Sequence, residues 1–150
     1  MSDFEIELEG TEELLENLKR INSDIRTNVA VKAVNDGGIQ IENKAKINAP
    51  VKTNALRNSI TTIAYVGNDG KAVAEVGLLR GLVYARIQEF GGTITAKNHK
   101  YLTFKGKYGW RSVKSVRIRG KHYLEKAIES EKGRAVDAMS AVVRAYLEKQ

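Results

Sequence analysis

The sequence contains no cysteine and only one proline in 150 residues. The first absence excludes disulfides, thiolate metal sites and cysteine nucleophiles. Histidine occurs only as His99 and His122, and neither has the spacing of a metal site around it. No run approaches the roughly 20 uninterrupted apolar residues of a membrane helix. The start, Met1-Ser2-Asp3-Phe4-Glu5, is acidic where a secretory leader is basic and then apolar. The chain is therefore expected to be made in a cytoplasm, to stay soluble and to have no membrane partner.

Reactive arrangements are equally sparse. Ser59, His99 and Asp69 supply the residue types of a triad, but no nucleophile elbow accompanies them. The glycine pairs lack the pattern of a phosphate loop. Glu75 and Glu89 form one conceivable acid pair, for which surface positions are the default. The expectation is no catalytic residue, no cofactor, no metal and no enzyme.

What is present is one core's worth of apolar residues, 42% of the chain, enough for a single domain spanning 1–150. The net charge of +7 is unevenly spread. Residues 1–50 hold ten acids and six bases, whereas residues 97–121 hold nine Lys or Arg and no acid. Tyr101, Phe104, Tyr108 and Trp110 are interleaved with those bases. Three readings of this block stand level on charge alone. It contacts DNA phosphates without sequence preference. It is a solvated edge where lysines discourage aggregation. Or it meets an acidic face of a neighbouring subunit.

Periodicity predicts an α+β chain. Residues 4–8 alternate as a short strand. Leu14, Leu18, Ile21 and Ile25 form a helical stripe, more simply core than partner surface, and Ser23 offers a fresh cap. Val29, Val34, Ile41 and Ala45 continue it as a long helix to about Asn48, stopped by Pro50. Gly37-Gly38 within it requires either a kink or a close neighbour. Ser59–Val66 and Lys71–Leu78 read as a hairpin about Gly67-Asn68-Asp69-Gly70. Leu82–Phe90 is ambiguous in period. Thr93–Thr95, Tyr101–Phe104 and Val113–Ile118 read as further strands of a mostly antiparallel central sheet, and Lys105–Arg111 as a basic, aromatic loop. A C-terminal helix follows from His122, with Leu124, Ile128, Ala135, Met139, Val143 and Leu147 on one face and Gly133 as a possible division.

Four stretches carry a resemblance. Ala49-Pro50-Val51-Lys52-Thr53-Asn54-Ala55-Leu56-Arg57-Asn58-Ser59-Ile60 resembles the signature of a siphophage tail-component family, in which a helix ends in Ala-Pro-Val, then Thr-Gly, then Leu-Arg and Ser-Ile. Tyr84-Ala85-Arg86-Ile87-Gln88-Glu89-Phe90-Gly91-Gly92-Thr93-Ile94 resembles its second signature, a Tyr-Ala pair followed by an acidic or polar residue and Phe-Gly-Gly. Residues 97–104 and 116–124 are similar to the later part of the related phage virion-morphogenesis family. Asn54 stands where the family has glycine, and asparagine is the next-best residue for a left-handed turn. His122 and Lys126 stand where the last motif carries prolines. The signature residues Pro50, Asn54, Leu56, Arg57, Tyr84, Phe90, Gly91 and Gly92 read as fold punctuation, with Gly91-Gly92 turning the chain beneath an aromatic.

The resemblance implies a neck or tail-completion protein at the head–tail junction of a tailed-phage virion. It implies a ring-forming homo-oligomer in contact with head-connector and tail-tube or tail-terminator proteins, around passing double-stranded DNA. Lys105, Lys107, Arg111, Lys114, Arg117 and Arg119 would then face the channel or the next ring. The alternative is a free, sequence-independent nucleic-acid-binding module built on residues 97–121.

Overall fold

A computed structural model describes residues 23–50, 54–79 and 83–149. The expected strand at 4–8 and the residues Leu14, Leu18 and Ile21 lie outside them. The chain divides into two compact units, Met1–Gly81 with Tyr123–Gln150, and Leu82–His122.

The first unit is built on α1 (Ser23–Asn48), a 26-residue helix. Its buried positions Val29, Ala33, Gly37, Ile41 and Ala45 recur every fourth residue, and most are small. The last helix, α4 (Tyr123–Leu147), answers with Tyr123, Ala127, Glu131, Ala135, Met139 and Val143, again four apart. Two ridges of this spacing with small residues let the helices pack closely, and Val29, Ala33, Met139 and Val143 form a shared apolar cluster. Glu131 lies in this buried row with its carboxylate 3.6 Å from the Arg134 guanidinium.

The glycine pair in α1 neither kinks nor ends the helix. A Cβ at Gly37 would stand 2.8 Å from Met139 Cγ, and one at Gly38 only 2.5 Å from Thr62 Cγ2. Adjacent positions thus touch α4 and the strands of this unit, and only a bare backbone fits between them. Gly133 does not divide α4. It sits exposed in mid-helix with nothing within 4 Å of its missing Cβ.

The strands are β1 (Ile60–Val66) and β2 (Ala72–Leu78), antiparallel with Ile60 opposite Leu78 and Val66 opposite Ala72. Ile60, Thr62, Ala74 and Val76 share the face toward α1, and Glu42 of α1 accepts a 2.7 Å hydrogen bond from the Thr62 hydroxyl. The other face carries Ile63 and Tyr65, whose hydroxyl donates to Glu75 at 2.6 Å. The turn is the expected one, with Gly70 at φ 79° and the Asp69 carboxylate accepting from Lys71 N at 3.1 Å. That backbone N–H, and the Lys71 ammonium beside it, hold the Asp69 carboxyl below its ordinary pKa.

Between α1 and β1 the sequence predicts only a turn, with Asn54 left-handed. The structure instead has a short helix, α2 (Asn54–Ser59), and Asn54 opens it without a positive φ. Helix-starting geometry is right-handed, and asparagine is favoured at helix starts. Leu56 is wholly buried, and the Ser59 hydroxyl donates to Leu56 O at 2.7 Å. These bonds fold Ser59 and Asp69 into local backbone structure.

The second unit starts with α3 (Val83–Phe90), which resolves the ambiguous period as helical. Its buried residues Ala85 and Glu89 are one turn apart. The surface expectation for Glu89 is therefore wrong: it shares the helix face that Ala85 buries. Next come β3 (Gly91–Thr95), β4 (Leu102–Gly106), β5 (Gly109–Val113) and β6 (Ser115–Arg119). β3 pairs with β6, and β4 with β5, both antiparallel. The α+β class and the two long helices are as expected. Among the described residues, however, the strands pair off as three two-stranded ribbons.

Candidate interaction surface

The basic block forms a nested ribbon. β4–β5 is a hairpin set between the paired strands β3 and β6, and Ala96 N bonds Lys114 O at 3.2 Å where the two ribbons meet. The stretch Lys105–Arg111 is not a loop. Only Lys107-Tyr108 turn, between Gly106 and Gly109, and Gly109 takes φ 116°, which a side chain would resist. Likewise Val113–Ile118 is not one strand. It splits at Lys114, because Val113 completes β5 opposite Leu102 while Ser115 begins β6 opposite Thr95.

Register assigns the faces. On one side of the hairpin lie Leu102, Phe104, Arg111 and Val113. On the other lie Thr103, Lys105, Trp110 and Ser112, with the two hydroxyls 3.0 Å apart. Lys105 and Arg111 thus point to opposite faces, each directly across from an aromatic. On β6, Arg117 and Arg119 share one exposed face with Thr93 and Thr95, while Val116 and Ile118 turn the other way with Ile94. The structure therefore brings Arg117 and Arg119 together. It spreads Lys105, Lys107, Arg111 and Lys114 around the hairpin, all exposed.

Exposed aromatics accompany the charge. Tyr108 is 84% and Trp110 73% exposed, and Tyr101 and Phe104 are also open. Lys100 lies 5.7 Å from the Tyr101 ring and Lys107 5.5 Å from the Tyr108 ring. Each such pair contributes about 0.5–1 kcal/mol at an exposed site. Among the described residues no ion pair involves any of the nine bases of 97–121. The second unit holds ten Lys or Arg and one acid, the buried Glu89, a net +9; with +7 for the whole chain, the remainder carries −2.

Of the signature residues, Tyr84, Phe90, Gly91 and Gly92 belong to the second unit. Tyr84 is half-buried on α3, and Phe90 is half-exposed with the Arg86 guanidinium 5.8 Å from its ring. Gly91, at φ 77°, leaves the helix for β3. Lys121 N and His122 N donate to the carbonyls of Gln88 and Glu89 at 2.6 and 3.0 Å, closing α3 onto the end of β6. Sequence reasoning passed over Gly120, which fits against this turn. His122, singled out as standing in place of a proline, is left-handed at φ 51°. In the first unit, Pro50 follows α1 and Arg57 lies half-buried on α2.

These features define an α+β protein whose distinguishing surface is a basic, aromatic ribbon with no ion-pair partner among the described residues. Its family is specific: the one described as "Bacteriophage HK97-gp10, putative tail-component" matches residues 12–91, more than half of the chain, and the chain belongs to it. Membership gives the protein a structural role among other phage structural proteins. No curated protein and no solved structure matches the chain. The matched span ends at Gly91, so most of the basic ribbon lies beyond it. No helix among the described residues is long and apolar enough to cross a membrane.

Proposed function

We propose that this protein completes the head–tail junction of a tailed phage, acting as a neck or tail-completion component. It works by assembling in several copies with connector and tail-tube or tail-terminator proteins, and not by catalysis. Family membership supports the particle role. The observation that carries the assembly role is the ribbon of residues 91–119, whose exposed bases and aromatics lack ion-pair partners among the described residues. An isolated two-stranded hairpin is marginal in water, so one that projects Trp110 and Tyr108 is suited to being covered by a neighbour.

The test is a nonsense mutation in a phage carrying the gene. Filled heads and separate tails, seen by electron microscopy, are the expected products, and the protein supplied in trans rejoins them. Intact infectious particles made without it overturn the reading. The second reading, sequence-independent binding to DNA, draws on the same basic ribbon. It requires an affinity for duplex DNA that falls steeply with salt.

A further inference from the structure

We infer that the β4–β5 hairpin is the docking surface for the acidic N-terminal segment, residues 3–16, of a second copy of this chain. The inference rests on the multi-copy reading above and names its contact.

Charge complementarity is the first argument. Residues 1–18 hold seven acids and no Lys or Arg, whereas residues 97–121 hold nine bases and no acid. The chain thus carries two blocks of opposite sign, far apart in sequence, and the basic one has no ion-pair partner among the described residues.

Pattern is the second. β4 pairs only with β5 among the described residues, so each strand keeps an outer edge that can accept another strand. Phe4-Glu5-Ile6-Glu7-Leu8-Glu9 alternates apolar and acidic residues. Laid along that edge, its apolar side continues the face of Leu102, Phe104 and Val113, which also carries Arg111. Its acidic side then continues the face of Thr103, Lys105, Trp110 and Ser112, where Lys105 is the base that meets it. Six extended residues span roughly 20 Å, enough to cover a five-residue strand. A phosphate backbone has no apolar side to continue the face of Leu102, Phe104 and Val113, whereas this segment has one. A segment of one copy meeting a different surface of the next is a heterologous contact, the kind that propagates around a ring.

The test swaps charges in the full chain. One variant carries E5K, E7K and E9K, and the other K105E, K107E, R111E and K114E. Circular dichroism confirms that both are folded, and the matching Gln variants repeat the experiment without reversed charge. By sedimentation velocity at low salt, the wild type self-associates. Each reversed variant alone is weakened by at least about tenfold. An equimolar mixture of the two associates again, because each supplies the block that the other lacks. A mixture that stays monomeric while the wild type associates overturns the inference. So does a wild type that stays monomeric, whether its own N-terminal segment covers its hairpin or only duplex DNA shifts it. Incorporation into particles is scored separately, so loss of this contact alone leaves the junction reading standing.

Discussion

Gly91 and Gly120 lie backbone against backbone: a Cβ on Gly91 would stand 2.7 Å from Gly120 N, and one on Gly120 2.9 Å from Gly91 N and 2.6 Å from Phe90 C. The contact fastens the start of β3 to the end of β6. The neighbours are main-chain atoms that cannot rotate away, and Gly91 also needs its positive φ. Gly120→Ala and Gly91→Ala should each cost about 2–4 kcal/mol of local stability. Amide hydrogen exchange in β3 and β6 is the measurement, and unchanged protection would disprove the account.

Three glycine-to-alanine changes in helices should diverge in sign. Gly133→Ala meets nothing and should stabilise by roughly 0.5–1 kcal/mol. Gly38→Ala drives a methyl into the stiff Thr62 side chain and should destabilise by about 1–3 kcal/mol despite its gain in helix propensity. Gly37→Ala should fall between, since Met139 can swing aside although Ala135 O cannot. Denaturant midpoints of the three variants rank them.

The surface aromatics and the core should separate cleanly. Trp110→Ala and Tyr108→Ala should change stability by no more than about 0.5 kcal/mol, since both rings are exposed. Leu56→Ala, at a site with no exposure, should cost about 2–5 kcal/mol. Urea melts check this, and a large loss at Trp110 would mean that the hairpin is covered within one chain.

Charge reversal of Lys105, Lys107, Arg111 and Lys114 should abolish completed particles while the circular dichroism spectrum and melting midpoint hold. Normal infectivity of that variant would remove the basic ribbon from the proposed assembly.

The Asp69 carboxyl is held below its ordinary pKa by the Lys71 N–H. A lowered folded value means that the turn is supported above the ordinary carboxylate range and loses that support as pH falls through the lowered value. An NMR titration of Asp69 should show a midpoint below 3.8, its ordinary value. The Lys71 amide shift should move with it, and Asp69→Asn should flatten that response.

Much of this fold was legible in the residues. Pro50 ended α1, Asp69-Gly70 made the first hairpin, and the apolar row of Leu124 to Val143 made α4. Where pattern misled, local signals were outweighed by partners distant in sequence. Gly37-Gly38 looks like a break until Met139 and Thr62 are placed against it. Lys105–Arg111 looks like a loop because its charges and glycines hide a register fixed by Leu102 and Val113. Glu89 looks like surface because a carboxylate usually is, yet it falls on the face that Ala85 buries. The basic block itself was plain. Its division between two hairpin faces and β6 follows only from strand pairing.

Because Gly37 and Gly38 are adjacent, one peptide backbone is all that separates Met139 from Thr62. The space on its two sides is held in common. A bulkier residue at 62 or 139 is admissible only if the other shrinks or the helix slides, so substitutions at these two positions, 77 apart in the chain, should arise as compensating pairs.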